Sequence, residues 1–160
     1  MDQSSNGASR AYGIAECKDI ETLTGLEIMQ ALCSRHLPVP PISKTLGFDI
    51  VDVQYGAVVL EGFPSIDYYN PFGCVHGGWA SSLLDSCMGY SIYSTLDVPS
   101  DSRTLELKVN FTRGIFKDTG PIRAEGHVLH RGARTATAEG RLLDAAGKLY
   151  AHGSTTCIIF

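Results

Sequence analysis

"GGWASSLLDSCMGYSIYSTL", residues 77–96, carries no charge except that of Asp85. A membrane span needs ~20 nearly uniform apolar residues, and this stretch holds Ser81, Ser82, Ser86, Ser91 and Ser94, so it reads as a central, buried helix. The chain changes from a Pro-containing loop to this helix at Gly77-Gly78, which places the glycines in the first turn. There the backbone N–H groups lack intrahelical partners and carry the positive end of the helix dipole, and glycine lets a ligand approach them closely. The plainer alternative is that the pair only makes a tight turn. Asp85 stands eight residues beyond Gly77, ~12 Å along a helix, beside Leu83, Leu84, Cys87 and Met88. A carboxylate in such company must be hydrogen-bonded, paired or facing a cavity, unless it lies on a solvated stripe with the serines.

Outward from this helix, the chain reads as an α+β domain. Upstream, residues 19–36 place Leu23, Leu26, Ile28, Met29 and Leu32 at helical spacing before Pro38, Pro40 and Pro41, which predicts an amphipathic helix. "FDIVDVQYGAVVLEGF" alternates on both sides of Tyr55-Gly56, which predicts a hairpin. Downstream come four strand-like segments, expected as a meander, with turns at Arg131-Gly132 and Ala146-Gly147. In the first, Leu105, Leu107, Val109 and Phe111 alternate with Thr104, Glu106, Lys108 and Asn110, so the two sets are expected on opposite faces. No βαβ alternation calls for a parallel sheet. The organisation is a leader over 1–15 and one domain over 16–160, the length of 160 residues leaving no room for a second core.

Composition narrows the class. With 44% apolar residues, 19% charged residues and a net charge of −4, the chain lacks the basic footprint of a nucleic-acid partner. Its five cysteines are odd in number, dispersed and without a CxxC pair, which argues against a disulfide framework or zinc site and for a reducing, cytoplasmic setting. The polar N-terminus lacks the basic-then-apolar order of a signal peptide. His127 and His130 have HxxH spacing, but three residues apart on a regular strand they would face opposite sides, which disfavours metal binding. Cys74 and His76 share a loop without any sign that they face each other. Tyr69, Phe72, Trp79 and Met88 near the helix read as core before they read as pocket.

Asn70-x-x-Gly73-x-x-His76-Gly77-Gly78, followed by Leu84-Asp85, resembles the active-site region of hotdog-fold acyl-CoA thioesterases of the PaaI-like type, relatives of 4-hydroxybenzoyl-CoA thioesterase. The likeness continues through "LGFDIVDVQYGAVVLEG", "TLELKVNFTR" and "VLHRGARTATAEGRLLDAAGKLYAHGSTTC", covering about residues 42–158. It implies a hotdog fold, a long central helix wrapped by a curved antiparallel sheet of about five to six strands, with an extra N-terminal helix and a core over 42–160. It implies hydrolysis of an acyl-CoA or aryl-CoA thioester to free acid and CoA, with no metal and no cofactor beyond the CoA of the substrate.

The same resemblance implies roles for single residues. The Gly77 N–H would stabilise the oxyanion, and Asp85 would act as general base or nucleophile. Asn70 would orient the carbonyl or the water, His76 would support the loop and the thioester end, and Thr104 would hold the water. Gly73 and Gly78 would border the substrate, and Arg131, Gly132 and Arg134 would meet the CoA nucleotide. Relatives with a Glu base often carry Ser or Thr where this chain has Gly89, which favours the Asp-type arrangement. Family sites lie between subunits, so Asn70 of one chain would meet Asp85 of another in a homodimer at minimum, and a homotetramer is the expected assembly. Rival readings are an enoyl-thioester hydratase on the same scaffold and a non-catalytic acyl-CoA sensor.

Overall fold

The computed structural model describes residues 11–98 and 100–160. Three short helices, α1 (Cys17–Ile20), α2 (Gly25–Cys33) and α3 (Pro41–Leu46), precede the hairpin of β1 (Phe48–Gln54) and β2 (Ala57–Gly62). The long helix α4 (Gly77–Tyr93) follows, and then β3 (Ser102–Phe111), β4 (Ile122–Arg131), β5 (Thr135–Leu143) and β6 (Leu149–Ile159). All six strands join one antiparallel sheet in the order β1-β2-β4-β5-β6-β3. The expected four-strand meander is therefore three strands long. β3 leaves α4 for the far edge beside β6, and β4 returns to pair with β2.

The sheet wraps α4 because its inner face is lined with small residues. Ala124 and Gly126, Ala138 and Gly140, and Ala151 and Gly153 are all buried on β4, β5 and β6. A Cβ on Gly126 would lie 2.5 Å from the carbonyl oxygen of Cys87, so any larger residue would push the helix off the sheet. Leu83, Leu84, Met88 and Ile92 are fully buried against that face, each side chain contributing roughly 1.5–3 kcal/mol. The serines that excluded a membrane span fasten the helix to the hairpin. Ser91 Oγ accepts from Val58 N at 3.0 Å and donates to Cys87 O at 2.7 Å, while Ser94 Oγ accepts from Gly56 N at 2.8 Å and donates to Ser91 O at 2.7 Å.

Two expectations change in detail. The helix expected over 19–36 is broken into α1 and α2, because Thr24 starts a new helix with a capping box: its hydroxyl accepts from Glu27 N, and Glu27 reaches back to Thr24 N at 2.8 Å. T-x-x-E is the sequence signature of that start. Its end comes at Cys33, where Arg35 takes a positive φ of 65°. The expected leader lies outside the described residues for its first ten positions, while Tyr12 forms a parallel bridge with Val39. Among the described residues, no helix is long and apolar enough to cross a membrane.

Faces along β3 also differ from strict alternation. A bulge between Thr104 and Glu106 sets two residues of β3 against one of β6, and the buried Thr155 hydroxyl donates to Glu106 O at 2.8 Å beside it. A bulge of this kind resets which side chains face in. Leu105 is turned out and 62% exposed, Leu107 and Val109 stay packed against the core, and Thr104 joins the face toward α4.

Candidate active site

The N-terminal tip of α4 is built by the loop before it. Asn70 Oδ1 accepts from Phe72 N at 2.9 Å and Cys74 N at 3.4 Å, and Asn70 Nδ2 donates to Cys74 Sγ at 3.2 Å. Gly73, at φ 85°, makes the turn that closes this loop. His76 caps the helix: its Nδ1 accepts from Gly78 N at 2.8 Å and its carbonyl oxygen from Trp79 N at 3.0 Å. The ring proton consequently sits on Nε2. Of the first three N–H groups, that of Gly77 alone has no acceptor among the described residues. A cleft of ≈ 400 Å³ opens there, lined by Asn70, Gly77, Phe111 and Arg113 among others. Phe111 leans over Gly77, its ring 3.0 Å from where a Cβ would stand, so only glycine leaves this backbone approachable.

Asp85 is half-buried in a different cleft, ≈ 280 Å³ in volume, with Ser86, Gly89, Tyr90, Tyr93, Ser102, Thr104 and Cys157. Thr104 Oγ1 donates to Asp85 Oδ1 at 2.9 Å, a contact that the β3 bulge makes possible. Burial is the first cause that raises the pKa of Tyr90 and of Cys157, and the charge of Asp85 raises both further, so each keeps its proton beside the carboxylate. Tyr90, Tyr93, Ser86, Ser102 and Cys157 are site-lining residues that the sequence reading did not single out. The i, i+4, i+8 spacing of Asp85, Gly89 and Tyr93 on one helix was the available signal.

The other residues fall as follows. Arg131 folds back so that its guanidinium donates to Gly132 O, with its Nε buried and without a partner among the described residues, while Arg134 is exposed. Register carries this turn to the Thr104 end of the sheet, through Thr104 opposite Cys157, Cys157 opposite Ala136 and Ala136 opposite Arg131. Three strand spacings of ~4.8 Å separate the two ends of that row. His127 and His130 do not face opposite sides as expected, because a bulge between Val128 and His130 turns both outward. His127 instead meets Glu139 at 2.9 Å, and no group of three or more potential metal ligands occurs among the described residues. Trp79 and Met88 are core, Tyr69 accepts from Lys117 N at 2.9 Å, and Phe72 is almost fully exposed.

A family model for the thioesterase superfamily matches residues 72–151, half of the chain. The chain belongs to the thioesterase superfamily. A candidate esterase of Saccharolobus solfataricus is 33% identical over 108 residues, 68% of this chain and 75% of its own length. The 1,4-dihydroxy-2-naphthoyl-CoA hydrolase of Listeria monocytogenes is 27% identical over 108 residues, 68% of this chain and 86% of that protein. Among solved structures, the PaaI protein from the phenylacetic acid degradation operon of E. coli superposes with a TM-score of 0.74 at 20% identity, covering 86% of this chain and 96% of that one. This thioesterase thus has the hotdog fold with PaaI-like neighbours, and its chemistry is thioester hydrolysis.

Proposed function

We propose that this thioesterase hydrolyses an acyl-CoA or aryl-CoA thioester with Asp85 as general base and the Gly77 N–H as oxyanion donor, the two supplied by different protomers. The observation that carries the reading is the Thr104–Asp85 hydrogen bond at 2.9 Å. It commits Oδ1 and leaves Oδ2 for a water, whose second hydrogen can reach a lone pair of Thr104. Asp85 takes one proton from that water as its oxygen attacks the thioester carbon. The oxyanion that forms is met by the unpaired Gly77 N–H at the positive end of α4. Collapse of the intermediate breaks the C–S bond, and the leaving thiolate takes the proton held by Asp85, giving free acid and CoA.

A shared site calls for pairing of protomers along β3. β3 is an exposed sheet edge, with the Asp85 cleft at its Thr104 end and the Gly77 cleft at its Phe111 end. Antiparallel pairing of this edge with its copy about a two-fold axis brings one end against the other. The homodimer is thus the minimum active unit. Within the loop, the Oδ1 of Asn70 is taken, so its second amide hydrogen is the group left to reach the substrate carbonyl. Arg134, exposed at the Asp85 end, is the phosphate partner for the CoA nucleotide.

Thiol release from acyl-CoA and benzoyl-CoA by the parent and by Asp85→Asn tests this function. Loss of kcat by a factor of ~10²–10⁴ with the fold retained is expected. An unchanged kcat overturns the role of Asp85. Binding without thiol release in the parent would favour a sensor, and hydration of an enoyl-CoA without thiol release would favour a hydratase.

A further inference from the structure

The Asp85 cleft continues beyond the carboxylate. Its floor is the stripe of α4 that runs through Ser86, Gly89 and Tyr90 to Tyr93, and Ser102 and Thr104 form the opposite wall. A Cβ on Gly89 would meet nothing within 4 Å, so the missing side chain keeps the middle of the cleft open. Tyr93 closes its far end. Behind Tyr93 lies a second cavity of ≈ 290 Å³, whose apolar walls are Ile20 and Leu23, Ile28 of α2, and Val98. Tyr93 lines both spaces.

Tyr93 is the one residue common to the two linings. The Tyr93 hydroxyl has no hydrogen-bond partner among the described residues, and the side chain is only partly buried. The backbone around it is fixed: Gly25 N donates to Leu96 O at 3.0 Å, and Gly25 packs so tightly on Tyr93 that a Cβ there would stand 1.8 Å from the Tyr93 carbonyl oxygen. α2 is thereby locked to the C-terminal end of α4 while the ring between the cavities is not.

Resting on the thioester-hydrolase reading with Asp85 at the reacting carbon, we infer that Tyr93 sets acyl-chain length, because the acyl tail lies along the Gly89 floor and ends at its ring. The substrate class is then a straight, uncharged aliphatic acyl-CoA. Tyr93 lies eight residues from Asp85, ~12 Å along the helix or roughly ten carbons of extended chain. Glu21 and Asp101 border the space behind the ring, which selects a neutral methyl end over a terminal carboxylate. Ile20, Leu23 and Ile28 of the N-terminal segment, outside the region matched by the family model, supply one wall of this second cavity.

The test is kcat/KM across acetyl-, hexanoyl-, octanoyl-, decanoyl-, dodecanoyl- and palmitoyl-CoA, with benzoyl-CoA for comparison. The parent is expected to peak near octanoyl and decanoyl and to fall for palmitoyl. Tyr93→Ala is expected to raise the palmitoyl-to-octanoyl ratio by about tenfold or more. Adding Leu23→Trp, which fills the second cavity from its other wall, is expected to reverse that gain. Gly89→Val, read by the same assay and independent of the folding of Tyr93→Ala, is expected to lower the octanoyl-to-acetyl ratio. A preference for benzoyl-CoA over every straight chain, or ratios that none of these variants moves, overturns the inference. If thiol release still collapses in Asp85→Asn, that failure leaves the hydrolase reading intact; if it does not, the reading itself has failed.

Discussion

The tip of α4 and its middle present reactive groups in different ways. At the tip, the side-chain hydrogen bonds are local: Asn70, Gly73, Cys74 and His76 fold around one another within seven residues and leave the Gly77 N–H without an acceptor among the described residues. In the middle, the decisive contact joins residues 19 apart, Asp85 and Thr104, and depends on a bulge in an edge strand. A short loop can be read from its own motif, whereas a contact between helix and sheet edge depends on register that no single segment encodes. Neither cleft contains the groups of the other. One chain therefore carries two separate clefts, which the proposed function joins across a pair of chains.

The largest effect is expected for Asp85→Asn, a fall in kcat of ~10²–10⁴ in thiol release, since the proposed base lies in the middle of the helix. Next comes complementation. Asp85→Asn and Asn70→Ala chains, each weak alone, are expected to recover about a quarter of parental activity when co-expressed in equal amounts, because half the dimers are mixed and each mixed dimer holds one intact site of two. No recovery would mean that tip and middle act within one chain. Leu105→Glu, which replaces an exposed apolar side chain on the proposed β3 seam with a charge, is expected to shift the protein toward monomer in sedimentation and to lower activity in step. A fully active monomer would break the comparison altogether.

Smaller effects sharpen it. Thr104→Val keeps the shape but removes the hydroxyl, and a loss of about tenfold in kcat is expected; Thr104→Ser should restore much of it, whereas a purely packing role would leave the valine variant active. The least effect is expected from Thr24→Ala, which removes the cap of α2 far from both clefts and should cost about 1 kcal/mol of stability, read by urea unfolding, with kcat on acetyl-CoA little changed.

How much of this was legible in the sequence follows the same division. The hairpin, the central helix, the antiparallel sheet and the motif residues of the tip could be read from periodicity, turn residues and resemblance. The placement of β3 at the far edge could not, because its alternation says which faces it has but not which strand it pairs with. Alternation even misled at Thr104, which it assigned to the face opposite Leu107 until the bulge restored it to the side of the helix. The same reason explains His127 and His130, set on one face by the bulge in β4. The break before α2 had a signature in Thr24 and Glu27 that the stronger apolar periodicity of residues 19–36 concealed. Tyr90 and Tyr93 carry no motif, and only the helix axis shows that they extend the line begun by Asp85.

The inserted residue in β3 has one more consequence. If the bulge were smoothed out with Leu105 kept in the ladder, everything before it would rotate by half a turn, swinging the Thr104 hydroxyl to the outside without altering a single polar group. Removing Leu105 would instead keep Thr104 opposite Cys157 in a regular ladder, so the side on which the carboxylate's partner stands is set by how the residues between Thr104 and Glu106 are counted into the strand.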